Sequence, residues 1–93
     1  MIAYSSQKVK EGKIVKVEAQ FENVITKLKI SGDFFLHPEE VLDDIENSML
    51  DLNRDVSFDT IVLKIHNLIK NYDAQMIGLS PESLAMVIRE TLK

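Results

Sequence analysis

Two neighbouring stretches with an apolar residue at every second position, Lys13–Phe21 (KIVKVEAQF) and Val24–Ile30 (VITKLKI), constrain this chain most. A period of two places Val15, Val17, Ala19 and Phe21 on one face of a strand. It places Val24, Thr26, Leu28 and Ile30 on one face of the next. Only Glu22-Asn23 separates them, the length of a two-residue hairpin loop, and Asn accepts positive φ readily. That loop predicts the pairs Phe21–Val24, Ala19–Thr26, Val17–Leu28 and Val15–Ile30, all on the apolar face. A one-residue slip would turn one apolar set to water.

A second turn, Glu11-Gly12, precedes this hairpin. It predicts Lys10 opposite Lys13 and a strand running back through Lys8, Ser6, Tyr4 and Ile2. Polar near the turn and apolar at its start, this strand has the character of a sheet edge. Residues 2–30 therefore read as a three-stranded antiparallel meander with one buried face.

After residue 31 the period changes to that of helices. Pro38 suits a first helical position, followed by Glu39 and Glu40 at the positive end of the helix dipole. Val41, Leu42, Ile45 and Met49 form its stripe. Leu52-Asn53-Arg54-Asp55 is a break. Ser57 is placed to cap a second helix with the stripe Phe58, Ile61, Val62, Ile65, Leu68 and Ile69, ending at Asn71 or Asp73. Ser80-Pro81-Glu82 opens a third, with Leu84, Val87, Ile88 and Leu92 on its face. Leu36 with Val41, and Leu79 with Leu84, are spaced as hydrophobic staples. A one-faced meander needs a cover, and the helices are the available one. The expected fold class is α+β: a three-stranded antiparallel meander followed by three helices packed on one face, in two layers. At 93 residues, one domain over 1–93 is expected.

Composition narrows the function classes. Without cysteine there is no disulfide, thiolate metal site, iron–sulfur ligation or cysteine nucleophile. No apolar run approaches the ~20 residues of a membrane span and no signal-peptide pattern opens the chain, so a cytoplasmic location and no membrane partner are expected. The net charge of −4 is uneven: residues 1–31 carry six lysines against three glutamates (+3), and residues 32–93 carry five basic against twelve acidic side chains (−7). The basic part has no Arg and only Tyr4 and Phe21 as aromatics, which argues against a nucleic-acid partner. Its lysines read either as a solvated, edge-blunting face or as one side of a polarised surface.

Catalytic signals are sparse. His37 and His66 are the only histidines, and neither has a second histidine at i+3 or i+4. Glu39, Glu40, Asp43, Asp44 and Glu46 lie opposite the apolar stripe of the first helix and read as its solvated face. No nucleophile elbow or phosphate-binding glycine loop is present. Met49, Met76 and Met86 read as core fillers. The residues themselves thus point to a non-catalytic domain with no catalytic or metal-binding residues. Gly32-Asp33-Phe34-Phe35, at the junction of the two regimes, reads as a corner or as a binding loop. In the corner reading Gly32 lets the chain turn off the sheet, Asp33 satisfies backbone N–H groups in an Asx turn, and one or both Phe rings plug the space beneath the first helix.

These same residues carry a resemblance. Gly12-Lys13 opening a strand, a hairpin ending at Ile30, then Gly32-Asp33-Phe34-Phe35 and Pro38-Glu39-Glu40 resemble the C-terminal accessory domain of lipoate-protein ligases. Ile77-Gly78-Leu79-Ser80-Pro81-Glu82 resembles the way that domain ends, so the likeness spans about residues 8–90. The chain departs from the family's glycine pair before the lysine, having Lys10-Glu11-Gly12-Lys13. With its start at Met1, the chain resembles the stand-alone small subunit of the archaeal type.

The resemblance implies a fold related to iron–sulfur scaffold and sulfur-acceptor proteins (the SufE/NifU-like type). It implies an accessory subunit that forms a heterodimer with a separately encoded large catalytic subunit. That subunit binds lipoate and ATP with Mg, makes lipoyl-AMP, and passes the lipoyl group to acyl-carrier domains. The accessory chain binds no cofactor alone and serves the adenylation step. Gly12, Lys13, Gly32, Asp33, Phe34 and Phe35 are then the candidates for partner binding or loop ordering. Two rival readings stand beside it: an adaptor unrelated to acyl activation that turns its lysine face to an acidic partner, and a small enzyme whose site is not visible in sequence.

Overall fold

A computed structural model describes residues 1–93 and shows an α+β fold. Strands β1 (Ile2–Lys8), β2 (Ile14–Phe21) and β3 (Ile25–Gly32) form an antiparallel meander in the order β1-β2-β3. A short strand β4 (Phe35–His37) follows, then helices α1 (Glu40–Ser48) and α2 (Phe58–Tyr72), strand β5 (Gln75–Ile77) and helix α3 (Pro81–Thr91). Helix α1 packs on β3, α3 packs on β1 and β2, and α2 packs against both helices. Between the layers, 20 buried apolar residues form one cluster, with Val15, Val17, Ala19 and Phe21 from β2 at its floor.

The expected meander forms, but both expected registers shift. At the first turn, the Val9 N–H donates to the Lys13 carbonyl (2.9 Å) and the Gly12 N–H to the Val9 carbonyl (2.8 Å). Gly12, at φ +100°, supplies the left-handed position that ends such a three-residue loop. The two-residue Glu11-Gly12 turn is therefore absent, and Lys8 faces Ile14 while Tyr4 faces Glu18. The reason is Val9. In this register it is buried at 3% exposure, whereas Ile2 and Tyr4 turn to solvent.

At the second turn Phe21 faces Ile25 and Gln20 faces Lys27, so Thr26 is a bulge. Its hydroxyl donates to the Gln20 carbonyl (3.1 Å). The bulge turns Ile25 inward, fully buried, in place of the expected Val24 and Thr26. Beyond it the pairs are Ala19–Leu28, Val17–Ile30 and Val15–Gly32. The break after α1 explains the shift. Ile25 donates to Leu52 and accepts from Asp51, and Arg54 donates to Asn23, so the hairpin end pairs with residues 51–54 as well as with β2.

The helices match the periodicity closely. Ser57 and Ser80 each accept a hydrogen bond at 3.1 Å, from the N–H of Thr60 and of Ser83 respectively, satisfying donors that a helix start leaves free. Asp73, left-handed at φ 51°, ends α2. Leu36, Val41, Leu79 and Leu84 are all buried, as staples require. Three details differ. Helix α1 begins at Glu40, two residues after Pro38. Phe58 and Met86 lie exposed rather than in the core. The acidic face of α1 is not merely solvated. The Glu46 carboxylate accepts the Ile30 N–H at 2.6 Å, satisfying a donor on the edge strand β3, and Asp44 accepts from the Tyr72 hydroxyl, which raises the Tyr72 pKa.

Candidate functional site

The Gly-Asp-Phe-Phe stretch is a corner, built differently from the Asx turn expected. Gly32 lies opposite Val15, and the Asp33 N–H donates to the Ile14 carbonyl at 3.0 Å. The Asp33 carboxylate itself makes no hydrogen bond and is exposed. A Cβ on Gly32 would stand 2.1 Å from the Ile14 carbonyl oxygen, and its φ is +151°. Close backbone approach is thus what requires glycine here.

The two Phe rings part company after the corner. Phe34 is half-buried and packs against the core cluster. Phe35 points outward at 50% exposure, so it is not the plug that the sequence allowed. It stacks on His37 with ring centroids 6.2 Å apart and planes inclined by 7°. Strand β4 pairs antiparallel with β5, Phe35 opposite Ile77 and His37 opposite Gln75. Ile77 is exposed to the same degree, which makes this small ribbon an outward apolar patch. Neither three-residue strand is predicted by the sequence pattern, which places Phe35 in the corner and assigns no element to residues 75–77. Beneath the corner is an open groove of about 370 Å³, lined by Ile30, Gly32, Phe34, Leu36, Glu39 and Asp43 among others.

Lys13 lies at this same end. Its stem passes over Gly78, the residue after β5: a Cβ there would meet Lys13 Cγ at 2.3 Å. Gly78 has φ +89°. The turn before Lys13 is anchored as well. Glu11 accepts a hydrogen bond from the buried Ser83 hydroxyl at 2.5 Å, in the first turn of α3. That bond, with help from Ser80 and Lys10 and against some desolvation, lowers the Glu11 pKa. The sequence pattern gives Glu11 only a place in a turn, because its hydrogen-bond partner is 72 residues away.

The candidates Gly12, Lys13, Gly32, Asp33, Phe34 and Phe35 therefore converge on one end of the molecule. Contacts close a ring there: Lys13 to Ile14 along the chain, Ile14 to Asp33, through the corner to Phe35, across to Ile77, and from Gly78 back to Lys13. Gly12 and Phe34 flank the ring. The Lys13 side chain is in neither ion pair of the structure, which are Met1–Glu22 and Lys93–Glu90. No three His, Asp or Glu side chains are grouped so as to hold a metal ion. No helix is long and apolar enough to cross a membrane.

No protein-family model matches this chain, and no curated protein matches it. Among solved structures, it is similar to a chain from an archaeal lipoylation system of Thermoplasma acidophilum, described as a bipartite lipoate protein ligase and its E2 lipoyl domain. The TM-score is 0.71 at 24% identity, over 96% of this chain and 98% of the other. The two share a fold end to end.

Proposed function

We propose that this chain is the non-catalytic accessory subunit of a two-component lipoate-protein ligase, working with a large catalytic subunit in the ATP-dependent activation of lipoate to lipoyl-AMP. The observation that supports this reading is the likeness, over 96% of this chain and 98% of the other, to a chain of a bipartite lipoate protein ligase system. In this reading lipoate, ATP and Mg are bound by the large subunit, acyl-carrier domains receive the lipoyl group from it, and the two subunits form a cytoplasmic heterodimer. The accessory chain contributes binding energy rather than a catalytic group.

The ring at the corner supplies a physical route. Adenylation builds negative charge on phosphates, and a loop that closes over them loses conformational entropy. A partner that binds the closed state more tightly shifts the balance toward it by that difference in affinity. A surface that is already rigid does so at less entropic cost. The Lys13 stem is held against Gly78, so its ammonium group has less freedom to lose than that of an ordinary surface lysine. The Phe35–Ile77 ribbon beside it offers apolar contact area.

Reconstitution tests the proposal. Pyrophosphate release from lipoate and ATP should rise when this chain is added to the large subunit. Lys13→Ala should slow that step about tenfold, while transfer from preformed lipoyl-AMP stays normal. Equal loss in both half-reactions would remove Lys13 from the role. Lipoate activation by this chain alone would sink the accessory reading, and no effect on the large subunit would leave the adaptor reading in its place.

A further inference from the structure

The face of the meander turned away from the helices has its own character. Across the three strands its rows are Ile2–Gln20–Lys27, Tyr4–Glu18–Lys29, Ser6–Lys16–Ser31 and Lys8–Ile14. Lys8, Lys16, Lys27 and Lys29 are all exposed. Only Glu18 opposes them, so the face carries net +3 and leaves −7 for the rest of a chain of −4. None of the four lysines is in an ion pair, although Lys29 stands directly opposite Glu18. Ile2 and Tyr4 add exposed apolar surface at one border. Helices α1 and α3 pack on the sheet and α2 packs on them, while the residues of these rows are exposed or only partly buried.

We propose that this open sheet face docks an acidic surface of a protein partner, in a contact that is weak, fast and sensitive to salt. The inference does not rest on the lipoylation reading. Charge selects the occupant: unpaired lysines on a low, regular surface attract carboxylates and orient their approach. Protein rather than polyanion is favoured by the flanking Ile2 and Tyr4, by the absence of Arg from this face, and by the acidic remainder of the chain, which repels an extended polyanion. Size sets the strength. Three strands at about 4.8 Å spacing and seven residues at about 3.3 Å rise span about 14 by 23 Å. That footprint is smaller than the roughly 800 Å² per partner of a stable complex, which points to a transient encounter.

Tetraglutamate, a peptide short enough to lie on this face alone, is the probe, titrated into the isotope-labelled full chain while backbone amide shifts are followed. Shifts should centre on Lys8, Lys16, Lys27 and Lys29, and binding should weaken about tenfold between low and physiological ionic strength. Paired K16E/K29E should abolish it, and K8E/K27E should do the same should the first pair disturb the sheet. The charge-matched control K64E/K70E on α2 should leave binding intact. Shifts centred elsewhere, binding that survives both sheet-face pairs, or tighter binding at the same residues to a short DNA duplex or to phosphatidylserine vesicles would overturn the proposal.

Discussion

The stem of Lys13 lies across the backbone of Gly78, so that a single methyl group at Gly78 would come within 2.3 Å of Lys13 Cγ. This contact joins the residue before β2 to the residue after β5, 65 positions apart in the sequence. Through it, the first hairpin touches the end of the β4–β5 ribbon.

Gly78→Ala should destabilise the protein by about 1–3 kcal/mol, from backbone strain at φ +89° and from overlap with the lysine stem. The stem is flexible and can move, whereas the strain cannot be relieved. Combining it with Lys13→Ala should therefore recover part of the loss and no more. Urea denaturation of the two single variants and the double variant measures this. Strict additivity would mean that the two residues do not touch in solution.

Gly32→Ala should cost more, about 3–4 kcal/mol, because the added methyl meets a backbone carbonyl oxygen at 2.1 Å rather than side-chain carbons. The Ile14 carbonyl is held by the Asp33 N–H and cannot swing aside without breaking the corner. Urea midpoints should rank wild type above Gly78→Ala and Gly78→Ala above Gly32→Ala. The reverse order would show that the corner is looser than its hydrogen bond indicates.

The Glu11–Ser83 hydrogen bond makes a pH prediction. The folded-state pKa of Glu11 lies below its ordinary value of 4.5, so the unfolded chain binds the proton more readily. The stabilisation is fully present above the unfolded value and is lost as pH falls through the folded one. The stability gap between wild type and Glu11→Gln should therefore be widest at neutral pH and close on acidification. Thermal or urea unfolding across that range checks it. A gap that widens in acid would show that the carboxylate is not the favoured form.

The helices were legible because their signals are local: Ser57 and Ser80 cap within three residues, and each stripe lies within one element. The fold class followed from the switch in period at residue 31. The strand registers were not legible, because each depended on something outside the hairpin. Val9 chose the longer first turn by being buried in the core cluster. Residues 51–54 took up backbone groups at the second turn and admitted the Thr26 bulge. The ribbon stayed hidden because three-residue strands have too little length for a period, and Phe35 faces Ile77 from 42 positions away. The sequence could collect the candidate residues but not show that Gly78 and Glu11 belong with them.

Phe34 and Phe35 separate packing from contact at this end of the molecule. Phe34 is half-buried against the core, so Phe34→Ala should cost about 1–2 kcal/mol in urea unfolding. Phe35 is half-exposed on the ribbon, and Phe35→Ala should cost under about 0.5–1 kcal/mol. Their effects on the proposed adenylation should run the other way. Phe35→Ala should fold normally and weaken support for pyrophosphate release, because an outward ring beside Ile77 has more to gain from a partner surface than from its own core. Phe34→Ala should lose support only in proportion to the unfolded fraction, so lowering the temperature should restore it. If Phe35→Ala supported the reaction fully while Ile77→Ala did the same, the ribbon would be a brace for the corner, and the contact surface would have to lie elsewhere on the ring.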